Sequence, residues 1–235
     1  MSTHRLKRFV AARLSPEGAL GLHLTAGVAL LLVAVIAFRE VAAAVAGSAA
    51  IVRFDVQVAT WFNAHAVEPA TTILFAITHL HGIPAMSVAG GLLALWFWRR
   101  GARYWALATA IAVPGGMVLN VVLKHAYERV RPAFEEPLLA LATYSFPSGH
   151  TAAATVFYGL LASYAVTVST SRTRRAAAVL GAVLMVLLVA FSRVYLGAHF
   201  VTDVAAAMVE SAGWLAVCIT GVSTLRRRRE AGRAR

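Results

Sequence analysis

Residues 151–203 read TAAATVFYGLLASYAVTVSTSRTRRAAAVLGAVLMVLLVAFSRVYLGAHFVTD. Two apolar runs, Thr151–Val168 and Ala176–Phe191, flank a short polar turn that carries Arg172, Arg174 and Arg175. At 1.5 Å per residue, 151–191 has the length of two helical spans of about 18–20 residues plus a turn. The stretch therefore predicts a helical hairpin that crosses a bilayer, turns on a basic tip, and returns Ser192 to the face where His150 lies. The pattern repeats on either side. Upstream are Tyr104–Leu123, a longer run Thr71–Trp98 that Gly82 and Pro84 are placed to kink, and Ala19–Phe38; downstream is Val204–Thr224. The predicted fold class is all-α: a polytopic membrane protein with six transmembrane helices in a bundle. A signal peptide is the alternative for the first run, but its apolar core exceeds the roughly 7–15 residues of such segments, which favours an uncleaved span.

Composition agrees. The 235-residue chain is 60% hydrophobic, with a mean hydropathy of +0.72, whereas a soluble domain is about 45–50% apolar. Three regions are expected: a basic amino-terminal stretch (1–18), a six-span domain (19–225) and a basic tail (226–235), with no separate soluble domain and no internal repeat. Within the second, Phe54, Val58, Trp61 and Phe62 fall on one helical face, so 53–68 reads as an amphipathic helix at the membrane interface. An ordinary outer loop packed on the bundle fits the same pattern equally well. The single cysteine, Cys218, lies in an apolar run and is expected to be plain packing.

A net charge of +12 would suggest nucleic acid in a soluble protein. Here the basic residues cluster between apolar runs, which encodes topology, and no nucleic-acid partner is expected. Of the 22 Lys and Arg residues, only Arg39, Arg53, Lys124, Arg129, Arg131 and Arg193 fall opposite the clusters. The positive-inside rule then puts both termini in the cytoplasm and turns 124–150 and 192–203 outward. Lys124, Arg129, Arg131 and Arg193 oppose that rule, and an anion is the simplest reason for them.

Three outward segments carry the chemistry: Lys124–Pro132 (KHAYERVRP), Pro147–His150 (PSGH) and Ser192–Asp203 (SRVYLGAHFVTD). Lys124 and Arg131 share a helix face if the helix continues toward Pro132. Ser148 and Gly149 precede a helix whose free N–H groups and dipole favour an anion. His199 and Asp203, at i and i+4, allow the carboxylate to orient the imidazole. The hairpin brings all three segments to one patch. Lys124, Arg131 and Arg193 suit a phosphate. A neutral His199 can attack phosphorus with Asp203 behind it, and His150 can protonate the leaving oxygen.

The Lys-x6-Arg-Pro, Pro-Ser-Gly-His and Ser-Arg-x5-His-x3-Asp segments together resemble the three signatures of the type 2 phosphatidic acid phosphatase family, whose relatives include vanadium-dependent haloperoxidases. Every signature position is matched in order. The resemblance implies a histidine phosphatase core in the bundle, with phosphate binding by Lys124, Arg131, Ser148, Gly149 and Arg193. It implies His150 as acid, His199 as nucleophile, Asp203 behind it, and no metal or cofactor. The expected partner is a lipid phosphate or pyrophosphate of the undecaprenyl pyrophosphate, phosphatidylglycerol phosphate or phosphatidic acid type. The expected location is a bacterial plasma membrane, with the site facing the periplasm or cell exterior. A lipid-linked phosphotransferase and a non-catalytic phospholipid-binding or transport protein are the alternatives, and the sequence leaves oligomeric state open.

Other polar residues read more plainly. His79 and His81 point to different faces and are expected to pack, and His125 to be solvated. Glu128, four after Lys124, either pairs with it or is merely exposed. Glu210 lies within a span, where an ionisable group is costly, and either lines a polar cavity or is protonated. Tyr144 and Phe146 are expected to pack in the loop.

Overall fold

A computed structural model describes residues 15, 21–139 and 141–233. The basic stretch expected at 1–18 lies, apart from Ser15, outside the described residues. Among the described residues the chain is all-helical: α1 Leu22–Gly47, α2 Ala49–Ala64, α3 Ala70–Leu80, α4 Ile83–Arg99, α5 Arg103–Tyr127, α6 Gly149–Val168, α7 Arg172–Tyr195 and α8 Val201–Arg233. Among the described residues, helices α1, α5, α6, α7 and α8 are each long and apolar enough to cross a membrane, and α3 with α4, bent by 52°, makes a sixth candidate when the pair is taken as one span. The kink anticipated at Gly82 and Pro84 is thus a full break. Proline stands in the first turn of α4, where its missing N–H leaves no ladder bond unmade.

The bundle is built around α8, which packs along α1 and against α5 and α6, while α6 and α7 form the predicted hairpin. Ala108, Ala112, Val113, Val156, Leu160, Leu215 and Cys218 close the α5–α6–α8 core, so the cysteine packs as expected. The outer faces carry the large apolar side chains, among them Leu32, Val33, Ile36, Leu180 and Leu184, as suits a bundle whose surroundings are hydrocarbon. Helix contact is close where residues are small. A Cβ on Gly115 would stand 2.4 Å from the Trp214 ring, and that indole also donates Nε1–H to the Ala112 carbonyl at 2.9 Å. Gly115→Ala is therefore expected to destabilise the α5–α8 contact by about 1–3 kcal/mol, the usual cost of overpacking, read as a lower melting temperature in detergent.

Three expectations change. Helix α5 stops at Tyr127, because Glu128 takes the left-handed conformation at φ 45°; Lys124 and Arg131 do not share a continuous helix. Helix α8 runs on past Thr224 to Arg233, so most of the basic tail is helical, with an Arg226–Glu230 contact of 3.8 Å one turn apart. The amphipathic segment is helical as α2, but its apolar face is divided. Val58 and Phe62 pack on Ala190, Val194 and Val204, while Phe54 and Trp61 are exposed. The helix turns inward around Asp55 and Ala59, both buried, and Asp55 is what the apolar pattern overlooked.

Candidate active site

The site forms where α5, α6, α7 and α8 end on one side of the bundle. Helix α7 carries Arg193 in its last turn, and a five-residue link, 196–200, then turns the chain into α8. Gly197 makes that turn possible. Its φ is +66°, and a Cβ there would lie 2.7 Å from the Phe134 ring; glycine alone meets both demands. His199 follows, with Nδ1 3.4 Å from Asp203 Oδ2 one helical turn on.

The carboxylate of Asp203 is fully buried and every side of it is engaged. Oδ2 accepts from the Phe200 N–H at 2.9 Å and from the Ser145 hydroxyl, and Oδ1 accepts from Arg129 at 2.6 Å. Such a set holds the carboxylate in place as a hydrogen-bond acceptor toward His199 Nδ1. The other imidazole nitrogen, Nε2, meets Arg131 Nη1 at 3.2 Å. Nδ1–H toward a carboxylate and Nε2 toward a guanidinium donor is the tautomer whose free lone pair is on Nε2. Burial holds the His199 imidazole far below its usual range, at about 3, against the opposing pull of Asp203. It is neutral at ordinary pH.

A cavity of about 250 Å³ adjoins this histidine, lined by Lys124, Arg131, Gly149, His150, Arg193 and His199, with apolar walls from Ile83, Met117, Val121 and Ala152. Arg193 is 1% exposed. Its Nη1 donates to Thr78, but Nε and Nη2 have no hydrogen-bond partner among the described residues. Lys124 Nζ reaches the Tyr144 carbonyl at 2.7 Å. Arg131 ties the two loops together, donating to the Thr143 and Tyr144 carbonyls and to that of Ala198. The left-handed Glu128 is what lets the chain leave α5 and still deliver Arg131 here.

Six of the eight side chains or glycines singled out in the sequence thus share one cavity. Asp203 stands behind His199 rather than on the wall. Ser148 is also off the wall. It is buried, its hydroxyl accepts from Thr151 at 3.1 Å, and its N–H donates to the Asp203 carbonyl. Glu128 pairs with the Tyr144 hydroxyl at 2.9 Å and not with Lys124. His81 is packed between the Ile77 carbonyl and the Tyr158 hydroxyl, and Phe146 is buried against Ala42 and Ala206, both as expected. Glu210 is buried beside Asn120, which donates to Oε1 at 2.8 Å and approaches the Pro147 carbonyl at 3.4 Å. It supports the Pro147–Gly149 turn from behind. The residues that motif spacing missed are Asp55, Asn120, Ser145 and Arg129. Arg129, suspected of serving an anion, instead bridges Asp203 and Asp55. Its only signal in the sequence was a positive charge on the disfavoured face. Among the described residues no three His, Cys, Asp or Glu side chains are grouped to hold a metal. The convergent groups are cations, imidazoles and a helix amino terminus, a donor set for an anion.

An all-helical membrane bundle with cationic and imidazole side chains gathered at one end is the class that fold and site define. The chain belongs to the PAP2 superfamily, whose profile matches residues 103–227 and so takes in all three motif segments. It is 36% identical over 138 residues to phosphatidylglycerophosphatase B of Bacillus subtilis (strain 168), a match covering 56% of this chain and 65% of that relative, just under two thirds of its length. Its fold is similar to the crystal structure of a transmembrane PAP2-type phosphatidylglycerolphosphate phosphatase from Bacillus subtilis. That likeness has a TM-score of 0.68 at 30% identity over 83% of this chain and 94% of the other.

Proposed function

We propose that the protein is an integral membrane phosphatase that hydrolyses a lipid phosphate or pyrophosphate through a phosphohistidine at His199. The observation that carries this reading is Arg193: a guanidinium buried to 1% exposure with two nitrogens lacking partners among the described residues, on the wall of the cavity that His199 also lines. An unpaired buried cation is costly, and an anion seated in the cavity removes that cost. Arg193, Arg131, Lys124 and the N–H groups around Gly149 hold the phosphate oxygens and stabilise the charge that builds on them in the transition state.

Nε2 of His199 bonds to phosphorus as the bond to the leaving oxygen breaks. His150, on the same wall, gives its proton to that oxygen. A water then attacks the phosphohistidine, returning a proton to His150 and releasing phosphate, and His199 recovers its lone pair. Asp203 holds the Nδ1 proton throughout. The apolar walls at Ile83, Met117 and Val121 suit a lipid chain entering beside the headgroup. The similarity to phosphatidylglycerophosphatase B favours phosphatidylglycerol phosphate, with phosphatidic acid and undecaprenyl pyrophosphate as comparators. In the orientation set by the basic turns, both termini are cytoplasmic and the site opens to the cell exterior or periplasm.

The test is free phosphate release by detergent-purified protein from these three lipids with EDTA present. Release with EDTA, fastest from phosphatidylglycerol phosphate and blocked by vanadate as a five-coordinate mimic, is the expected result. Release that EDTA abolishes would overturn the metal-independent mechanism. Transfer of phosphate to an added lipid or sugar without free phosphate would move the reading to a phosphotransferase.

A further inference from the structure

Behind the His199–Asp203 pair lies a second layer of charge that belongs to none of the three motifs. Arg129, in the loop after α5, donates from Nη1 to Asp203 Oδ1 at 2.6 Å and from Nη2 to Asp55 Oδ2 at 2.8 Å. One guanidinium therefore bridges two carboxylates that are both fully buried. Thr202 closes the arrangement. Its hydroxyl meets both Arg129 and Asp55, and its N–H donates to Asp55 Oδ1 at 3.1 Å. The Phe200 ring covers Arg129 at 4.3 Å. Asp55 comes from α2, well outside residues 103–227.

The charge count gives this layer a purpose. With Arg129 alone, the negative charge of Asp203 would be cancelled at 2.6 Å, and little would remain for an imidazole that becomes cationic when phosphorylated. Asp55 restores one net negative charge to the cluster and draws Arg129 partly away from Asp203. We infer that Asp55, acting through Arg129, is a positioning and counter-charge residue for the His199–Asp203 pair, so that helix α2 completes a catalytic unit otherwise built from α5–α8. This inference rests on the phosphohistidine reading above.

Asp55→Asn keeps the shape and the acceptor for Thr202 while removing the charge. Its kcat is expected to fall by roughly 10–100-fold, by analogy with the loss of outer-shell partners that orient metal-bound histidines, with KM changed by less than about 2-fold since substrate contacts are untouched. In an Arg129→Gln background the same change should cost much less, because no cation then competes for Asp203; that non-additivity is the signature of coupling through Arg129. A staple that merely pins α2 to residues 200–203 would lower the melting temperature and leave kcat of the folded protein unchanged.

Nitrogen-15 spectra of His-labelled protein supply a readout independent of turnover: the wild type should show His199 protonated at Nδ1, and Asp55→Asn a shift of population toward Nε2–H. Unchanged kcat and an unchanged tautomer in folded Asp55→Asn would overturn the inference. Absence of phosphate release by the wild type would instead remove the phosphatase reading, and the tautomer measurement would still decide whether Asp55 acts on His199.

Discussion

His199→Ala is expected to abolish phosphate release, with a loss of about 10⁴-fold or more, the scale on which removal of a nucleophile acts in hydrolases that form a covalent intermediate. The side chain is 2% exposed and its surroundings are already committed: Asp203 to Nδ1, Arg131 to Nε2. Lys124, Arg131 and Arg193, the groups proposed to hold phosphate, remain. The variant should therefore still bind substrate while failing to turn over, which separates a lost nucleophile from a lost site. Because burial keeps His199 neutral down to about pH 3, the nucleophile stays competent across the ordinary pH range. An acid limb in kcat/KM between about pH 5 and 7 would then come from the phosphate substrate or another group. The folded state also resists protonating His199 where the unfolded chain, with an ordinary imidazole near 6.5, takes up a proton. The contribution of this group to stability is therefore present above pH 6.5 and lost as pH falls toward 3.

Arg193→Met is expected to separate activity from stability. Methionine fills similar volume without a charge, and replacing an uncompensated buried cation by an apolar side chain is often neutral or stabilising by about 1–4 kcal/mol. The ligand-free variant should melt at or above the wild-type temperature. Its kcat/KM should nonetheless fall by about 10²–10³-fold, as when one preorganised donor to a developing oxyanion is removed. Vanadate should raise the melting temperature of the wild type and do so far less for the variant, since only the wild type gains a partner for Nε and Nη2. A variant that is less stable without ligand, yet as active as wild type, would show that Arg193 serves Thr78 and the packing of α7, and not an anion.

Much of this arrangement was legible in the sequence because membrane-crossing helices leave periodic apolar runs, and the site leaves positive charges on the disfavoured face. The apolar runs set the spans, and the length of 151–191 alone required His150 and Ser192 to meet on one face. What escaped was information that depends on backbone turns and on contacts distant in the chain. Nothing in KHAYERVRP announces that Glu128 adopts a left-handed conformation, so the shared helix face for Lys124 and Arg131 was a wrong route to a correct convergence. Ser148 precedes a helix as the spacing suggested, but its hydroxyl accepts from Thr151 and its N–H donates to the Asp203 carbonyl, a partner 55 residues away that spacing does not reveal. Asp55 was hidden by its neighbours. The face at Phe54, Val58 and Trp61 drew attention to apolar spacing, while the buried carboxylate between them is satisfied by an arginine 74 positions away. Glu210 could be flagged as costly in a span, but its partner Asn120, 90 residues upstream, could not be read from spacing.

Trapping the covalent phosphohistidine at His199 tests the proposed mechanism at its key step. Protein mixed with phosphatidylglycerol phosphate labelled in the terminal phosphate, then quenched in alkali within the first turnovers, is predicted to carry label that is stable to base and lost in acid. That label should map to the peptide containing His199 and be absent from His199→Ala. Label-free protein during active phosphate release, or label that persists in His199→Ala, would rule out a covalent intermediate at His199.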